Sequence, residues 1–119
     1  SPEALRMPEE IKMDLRAAGA EISEATDITE VIEDVNVLYV TRIQKERFPD
    51  PTEYSKVVGT YRITTDLLKR NEEVIIMHPL PKVDEIDPEV DRTENARYFL
   101  QAFYGIPVRM AVLSLLLGR

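Results

Sequence analysis

The amino-acid sequence predicts an α/β protein, in which helices flank part of a doubly wound, Rossmann-like parallel sheet and an apolar C-terminal helix follows. Two apolar, β-prone runs, at residues 35–40 and 74–77, alternate with segments of helical periodicity. This alternation is typical of a parallel sheet with crossover helices. The last segment, residues 110–117, is apolar on almost every side of a helix drawn through it. Such a helix must be covered all round, so we expect it to pack against a partner or a further domain, with a central core helix as the alternative.

The first third of the chain is predicted to hold two helices and one short strand before the first long apolar run. Pro8 suits the first turn of a helix over residues 8–18, where apolar side chains recur at helical spacing. Residues 20–23 are predicted to form a short strand. The segment Asp-Ile-Thr-Glu at residues 27–30 fits a capping box that starts a short helix. The strand at residues 35–40 follows.

Proline and threonine residues divide the middle of the chain. The segment Pro-Asp-Pro at residues 49–51 breaks the chain, and Thr52 is predicted to cap the helix that follows. Thr64 or Thr65 is predicted to cap a second helix before the strand at residues 74–77. Two further prolines then prevent this strand from continuing inside a sheet.

The C-terminal part is predicted to be helical after an acidic connector at residues 84–91. The helix is expected to begin near Ala96, and Gly105 and Pro107 are expected to kink or restart it. Three predicted strands make a small sheet, which indicates part of a larger domain. The chain begins at Ser1 without an initiator methionine, and we expect that it was processed or cut from a longer chain.

Composition limits the classes of partner. The 119 residues suit one domain, and the net charge of −7 argues against nucleic acid or an anionic membrane as a partner. Cysteine is absent, which excludes disulfides and cysteine-based metal sites and fits a reducing compartment. The apolar stretches are interpreted as too short to span a membrane, and no signal-peptide pattern is found. A cytoplasmic location is therefore predicted.

The first candidate site follows the strand at residues 35–40. Arg42 and Gln44 are two residues apart, so their side chains leave an extended backbone on the same face. A guanidinium matches a carboxylate in bidentate fashion, and together with the amide it could hold a small dicarboxylate or an amino acid. The alternative is a solvated charged loop with weak surface ion pairs, and exposed charges are the norm.

The second candidate site follows the strand at residues 74–77. In His-Pro-Leu-Pro, residues 78–81, two prolines fix φ and remove two N–H donors, which leaves carbonyl oxygens as acceptors. The bond between Leu80 and Pro81 is a candidate cis peptide. His78 is the only histidine; it could act as a general base, but a structural hydrogen-bonding role is the commoner one. Arg109 could reach a site or pair with acidic surface.

The sequence offers no other recognisable chemistry. No spacing suits a metal site, no nucleophile has an adjacent base, and no glycine-rich phosphate loop is present. We therefore expect no metal and no cofactor, assign no catalytic residue within this segment, and reject a general nucleotide-binding domain.

Several segments together resemble the aspartate carbamoyltransferase family, in the second half of its catalytic chain. The run Thr-Arg-x-Gln-Lys-Glu-Arg and the run His-Pro-Leu-Pro are specific in combination, and the related ornithine enzymes carry a cysteine in the second run. The absent cysteine therefore favours aspartate. The resembling segments are Ser-Pro-Glu-Ala-Leu-Arg-Met-Pro (1–8), Leu-Tyr-Val-Thr-Arg-Ile-Gln-Lys-Glu-Arg (38–47), Met-His-Pro-Leu-Pro (77–81), Asp-Glu-Ile (84–86), Tyr-Phe (98–99) and Val-Arg-Met-Ala (108–111) with the apolar tail.

The resemblance implies that Arg42 and Gln44 bind the carboxylates of L-aspartate. It also implies that the backbone of Pro79, Leu80 and Pro81 receives the carbamoyl group of carbamoyl phosphate and the attacking amine. The implied reaction transfers the carbamoyl group to the α-amine of aspartate, which gives carbamoyl-aspartate for pyrimidine synthesis and releases phosphate.

Supporting roles and partners follow from the same resemblance. Glu46, Arg47 and Asp84 would brace the loop, and Arg109 would lie on the helix that returns toward the first domain. Residues 1–95 would be an aspartate-binding domain, incomplete at its N-terminal side. Residues 96–119 would be a helical segment packing toward a missing N-terminal carbamoyl-phosphate domain. The expected assembly is a homotrimer, with a regulatory subunit as a further candidate partner.

Two positions depart from the family pattern. Lys82 stands where the family usually has arginine, which puts bidentate bracing there in doubt, and Tyr104 stands where it usually has asparagine. Because the phosphate loop and the catalytic histidine of the family have no counterpart here, no turnover is predicted for this chain alone. The alternative is a non-catalytic excised or degenerate fragment that acts only as a folded or assembly module.

Overall fold

The computed structural model describes residues 5–43, 48, 50, 52, 55 and 62–118 of the chain. Helices and a parallel sheet alternate along this part of the chain, in agreement with the predicted α/β class. The elements, in chain order, are α1 (Glu9–Ala17), a 3₁₀ turn (Ile28–Glu30), β1 (Val37–Tyr39), α2 (Thr65–Leu68), β2 (Ile75–Met77), a second 3₁₀ turn (Pro88–Arg92) and α3 (Tyr98–Leu117).

The two strands are parallel neighbours. Val37 pairs with Ile75 and Tyr39 with Met77, so both strands begin and end in register. The amide of Val40 continues the ladder by donating to the carbonyl of Met77 at 2.9 Å. Each strand is shorter than its apolar run predicts.

The strand β2 lies at the centre of the described sheet. Its middle residue, Ile76, donates to the carbonyl of Asn95 at 2.8 Å and accepts from the amide of Arg97 at 3.0 Å. This isolated parallel bridge, which joins Ile76 to Ala96, lies on the side of β2 away from β1. The strand predicted at residues 20–23 is wrong, because that segment has no strand pairing in the structure.

A small apolar core surrounds β2. Buried side chains come from both strand regions, from α2 and from the first residue of α3, which ties the C-terminal helix to the sheet. Burial of these residues provides the main stabilisation of the fold. The core residues are Ile32, Val40, Ile63, Leu67, Leu68, Val74, Ile76, Ile86, Val90 and Tyr98.

The short helices begin where the sequence predicts. Thr64 caps α2 by accepting a hydrogen bond from the amide of Leu67 at 3.2 Å. Asp27 caps its turn by accepting from the amide of Thr29 at 2.8 Å, although the helix predicted there is only a 3₁₀ turn. The helix predicted to follow Thr52 lies outside the described residues, apart from Thr52 itself and Ser55.

The C-terminal helix α3 differs from the prediction because it is continuous. It runs without interruption from Tyr98 to Leu117, with Gly105 and Pro107 inside it. A proline removes one intrahelical hydrogen bond, but the Leu, Met and Ala residues that follow favour helix strongly enough to continue it. The prediction of a restart at Gly105 and Pro107 is therefore wrong.

The length of α3 also bears on the prediction that no apolar stretch is long enough to span a membrane. At 20 residues with a mean hydropathy of 1.6, it is long and apolar enough to cross a membrane, by length and composition alone. The prediction that the apolar stretches are too short to span a membrane is therefore wrong for this helix. The core helix of a soluble protein can pass the same test, so the finding does not by itself identify a membrane span.

Candidate functional site

The candidate site lies where the two strands end. Because β1 and β2 are parallel and in register, the segments after Tyr39 and Met77 leave the sheet at the same edge. Arg42 follows the first strand and is exposed, and residues 79–81 follow the second. In open α/β sheets this edge is the usual place for ligands. Of the other residues predicted in the first loop, Gln44, Glu46 and Arg47 lie outside the described residues.

The segment Pro79-Leu80-Pro81, which we call the rim loop, has an unusual backbone. The peptide bond between Leu80 and Pro81 is cis, as the sequence predicted, and Leu80 has a φ of 54°. A left-handed conformation costs a non-glycine residue about 1–2 kcal/mol. The surrounding structure must therefore hold Leu80 in place.

Hydrogen bonding leaves the rim loop with acceptors only. Pro79 and Pro81 have no N–H, and the amide of Leu80 donates to Nδ1 of His78 at 2.9 Å. Every N–H of the loop is thus accounted for, and its backbone can offer a ligand only carbonyl oxygens. Such a surface suits amine and amide N–H donors.

His78 has a structural hydrogen-bonding role, which is the commoner role for a lone histidine. Its side chain is only 1% exposed, and its Nε2 lies 2.7 Å from Oε1 of Glu85, which is 6% exposed. Because Nδ1 accepts from the amide of Leu80, the neutral ring carries its proton on Nε2 and donates it to Glu85. The amide of His78 donates to Oε1 of Gln101 at 2.9 Å.

Glu85 gathers several donors on one buried carboxylate. Besides His78, the amides of Val83, at 3.2 Å, and Asp84, at 3.1 Å, donate to its Oε2. Burial alone raises the pKa of Glu85, but the backbone hydrogen bonds and His78 outweigh it, and the net pKa is lowered from the ordinary value of 4.5. The carboxylate is therefore ionised at neutral pH.

Lys82, which stands where the family usually has arginine, contacts two groups in the segment after the rim loop. Its Nζ lies 3.1 Å from Oδ1 of Asp91 and donates to the carbonyl of Ile86 at 3.3 Å, so it ties together the segment behind the rim loop. Asp91 also accepts from the hydroxyl of Tyr98. Burial and this hydrogen bond to a carboxylate both raise the pKa of Tyr98.

The side chains of Asp84 and Arg109 are not part of this network, although the amide of Asp84 donates to Glu85. The carboxylate of Asp84 is exposed, and Arg47, which the resemblance implies would brace the loop with it, is outside the described residues. The guanidinium of Arg109 lies over Gly105, one turn earlier in α3, and would be 3.4 Å from a Cβ at that glycine. A side chain at position 105 would therefore contact the Arg109 guanidinium.

Neither of two clefts in the described part of the chain is lined by Arg42 or by the rim loop. One, of about 250 Å³, includes Tyr39, Val40 and Thr41 in its lining. The other, of about 600 Å³, lies between residues 5–8 and 22–25. A pocket shared by Arg42 and the rim loop therefore stays a prediction. Among the described residues, no group of three or more His, Asp or Glu side chains could hold a metal ion.

Sequence reasoning missed Gln101. Its Nε2 donates to the hydroxyl of Tyr39 at 3.3 Å while its Oε1 accepts from the amide of His78, so α3 contacts both strand ends through one amide. The available signal was a single amide side chain in the apolar run that begins α3.

Comparison with known proteins gives the family. The family described as aspartate/ornithine carbamoyltransferase, Asp/Orn binding domain, matches residues 1–116. The chain belongs to this family. Its α/β fold agrees with that of solved members, and the specific first-strand and rim-loop runs fall within the matched range.

Relatives of the chain are considerably longer than it is. The aspartate carbamoyltransferase catalytic subunit of Methanocella arvoryzae is 58% identical over 99% of this chain and 39% of its own length. The catalytic subunit of M. jannaschii aspartate transcarbamoylase superposes with a TM-score of 0.87 at 53% identity, over 98% of this chain and 38% of that one. The chain thus spans about two fifths of the length of the curated relatives that it matches.

A more distant relative has been solved with ligands. The aspartate transcarbamoylase of Trypanosoma cruzi, in complex with carbamoyl phosphate and aspartate, superposes with a TM-score of 0.83 at 35% identity. The match covers 95% of this chain and 38% of that one.

Proposed function

We propose that this chain is the aspartate-binding part of an aspartate carbamoyltransferase. In the proposed reaction the α-amine of L-aspartate attacks the carbonyl carbon of carbamoyl phosphate. The new C–N bond forms as the C–O bond to phosphate breaks, and the proton lost by the amine passes to the released phosphate, which gives N-carbamoyl-L-aspartate and phosphate. Arg42 would bind an aspartate carboxylate, and Gln44 would assist it.

The acceptor-only rim loop carries this proposal. An attacking amine and a carbamoyl NH₂ group are both N–H donors, and the backbone of Pro79, Leu80 and Pro81 can offer them only carbonyl oxygens. The cation at Arg42 on the same edge of the sheet supplies the complementary charge for a carboxylate. The relative solved with carbamoyl phosphate and aspartate supports the same pair of substrates.

The apolar helix supports a two-part arrangement. Leu115 is 83% exposed and Leu116 is 78% exposed in this chain, and a run of large exposed apolar side chains indicates a covered surface. We propose that residues 96–119 pack toward an N-terminal carbamoyl-phosphate domain. A homotrimer in the cytoplasm, with or without a regulatory subunit, completes the proposal.

A chimera tests the function. Residues 1–119 replace the matching segment of the M. arvoryzae relative, and formation of carbamoyl-aspartate is measured against aspartate concentration. In this chimera Arg42→Ala should raise the KM for aspartate about thirty- to thousandfold. Loss of a charge-paired hydrogen bond to a substrate carboxylate costs about 2–4 kcal/mol, and each 1.4 kcal/mol is a factor of ten.

Arg70→Ala is the matched control. Arg70 is also an exposed arginine, but it pairs with Glu33 at 2.6 Å. Both residues precede the strands and so lie at the opposite edge of the sheet. The Arg70→Ala substitution should leave the KM for aspartate unchanged. A chimera that assembles but shows no turnover would favour the assembly-module alternative, and equal KM values for Arg42→Ala and the parent would refute the role of Arg42.

A further inference from the structure

We propose that His78 and Glu85 are positioning residues, which hold the rim loop in its left-handed, acceptor-only form for the transfer reaction. The inference rests on the proposed function, because the loop is the part of the site that would meet the amine. Three observations carry it: the conformation of Leu80, the hydrogen bond that holds it, and the burial of the pair.

The first step is the link between His78 and the loop. The amide of Leu80 donates to Nδ1 at 2.9 Å, and this is the only N–H in the loop. If it turned outward, the loop would offer a donor where an amine must be received. His78 therefore supports both the shape of the loop and its hydrogen-bonding character.

The second step is the link between His78 and Glu85. The carboxylate accepts from Nε2 at 2.7 Å, which fixes the ring orientation and places the proton on Nε2. Nδ1 then remains an acceptor. Amides of Val83 and Asp84 fix the carboxylate in turn, so the ring is held by groups that follow the loop in the chain.

The third step is burial. Both side chains are more than nine-tenths buried, so neither can contact a substrate directly. Their influence on the reaction must pass through the backbone of Leu80. This distinguishes a positioning residue from a catalytic one, and it predicts that turnover and aspartate binding respond differently.

Two substitutions separate the two ring nitrogens. In His78→Asn the side-chain oxygen lies two bonds from Cβ, as Nδ1 does, so it can still accept from the amide of Leu80. In His78→Gln the amide lies one bond further out, as Nε2 does, so it keeps the contact with Glu85 and loses Leu80. Both variants disturb the same buried space.

In the chimera, we expect His78→Gln to lower kcat about ten- to thirtyfold and His78→Asn to lower it less than threefold. The KM for aspartate should change less than threefold in both, because Arg42 is untouched. The size of the kcat effect follows from the cost of the left-handed conformation. Without its hydrogen bond to His78, Leu80 should favour other conformations by roughly tenfold. Equal losses of kcat in the two variants would overturn the inference.

Asn71→Ala is the control for stability. Asn71 is partly buried and donates to the carbonyls of Ile32 at 2.8 Å and Val35 at 2.9 Å, before the strands begin. It should lower Tm without lowering kcat at a temperature well below the transition. A loss of kcat in Asn71→Ala as large as that in His78→Gln would assign the effect to general destabilisation and overturn the inference.

A second measurement does not depend on turnover. The 119-residue chain contains one histidine, so ¹⁵N NMR can read its tautomer and the coupling across the N–H···N bond from Leu80. If the parent chimera is inactive but the 119-residue chain shows this coupling, the proposed function is refuted and the positioning role of His78 stands. If the parent chimera is active but the coupling is absent, the positioning role of His78 is refuted and the proposed function stands.

Discussion

Glu85→Gln should destabilise the protein strongly at neutral pH, although the change is nearly isosteric. The carboxylate accepts hydrogen bonds from Nε2 of His78 and from the amides of Val83 and Asp84. A glutamine side chain has one oxygen, so its NH₂ group would face at least one of these donors. A buried donor without an acceptor costs about 1–3 kcal/mol.

The expected loss is about 2–4 kcal/mol at pH 7. It combines one unsatisfied donor with the weakening of the remaining bonds, because hydrogen bonds to a charged group are worth about 1.5–3 kcal/mol and neutral ones about 1 kcal/mol. For a chain of this size the loss should lower Tm by about 8–16 °C. Glu33→Gln, at an exposed ion pair with Arg70, is the control and should change Tm little.

The pH dependence gives the sharper test. The pKa of Glu85 is lowered in the folded protein from 4.5, so its stabilisation is fully present above about pH 4.5 and is lost as the pH falls through the folded pKa. The difference in Tm between parent and Glu85→Gln should therefore shrink below pH 4.5. Thermal unfolding followed by circular dichroism at pH 7 and at pH 3.5 measures it, and an equal difference at both values would refute the reasoning.

Two further predictions concern the C-terminal helix. Tyr98→Phe removes the donor to the carboxylate of Asp91 and should reduce the free energy of unfolding by about 1–2 kcal/mol; an unchanged midpoint in urea would contradict this. Leu116→Glu should leave the unfolding of the 119-residue chain unchanged, because Leu116 is 78% exposed there. In the chimera the same substitution should weaken assembly, measured by size-exclusion chromatography. Normal assembly would contradict the proposal that this helix packs toward the N-terminal domain.

The sequence predicted those features that depend on local chemistry. Thr64 or Thr65 is predicted as the cap of α2, and the side chain of Thr64 caps it. The Leu80–Pro81 peptide is cis as expected, because a peptide bond before proline has only a small preference for the trans form. The parallel pairing of the two apolar runs also followed from their alternation with helices.

Features that depend on distant partners were harder to predict. Gln101 is separated from His78 by 23 residues and from Tyr39 by 62, and no local pattern announces either contact. A carboxylate is usually exposed, so the sequence alone does not indicate that Glu85 is buried. Only the folded arrangement shows that it is buried beside the histidine.

The helix α3 shows a different limit. Gly105 and Pro107 are both unfavourable inside a helix, with intrinsic penalties of about 1 and 3 kcal/mol. The helix nevertheless continues to Leu117, because its neighbours favour helix and tertiary context commonly overrides single-residue propensity.

The buried polar network follows from the irregular backbone that it supports. Amides within a strand or helix find backbone acceptors, but those of Leu80, Val83 and Asp84 donate to the side chains of His78 and Glu85. Buried N–H groups must be satisfied somewhere, so a non-repetitive loop against the core needs polar side chains as partners. Two apolar residues in their place would leave these amides unpaired. The histidine and the glutamate are therefore a consequence of the loop's shape, and that shape is what leaves carbonyl oxygens alone at the rim.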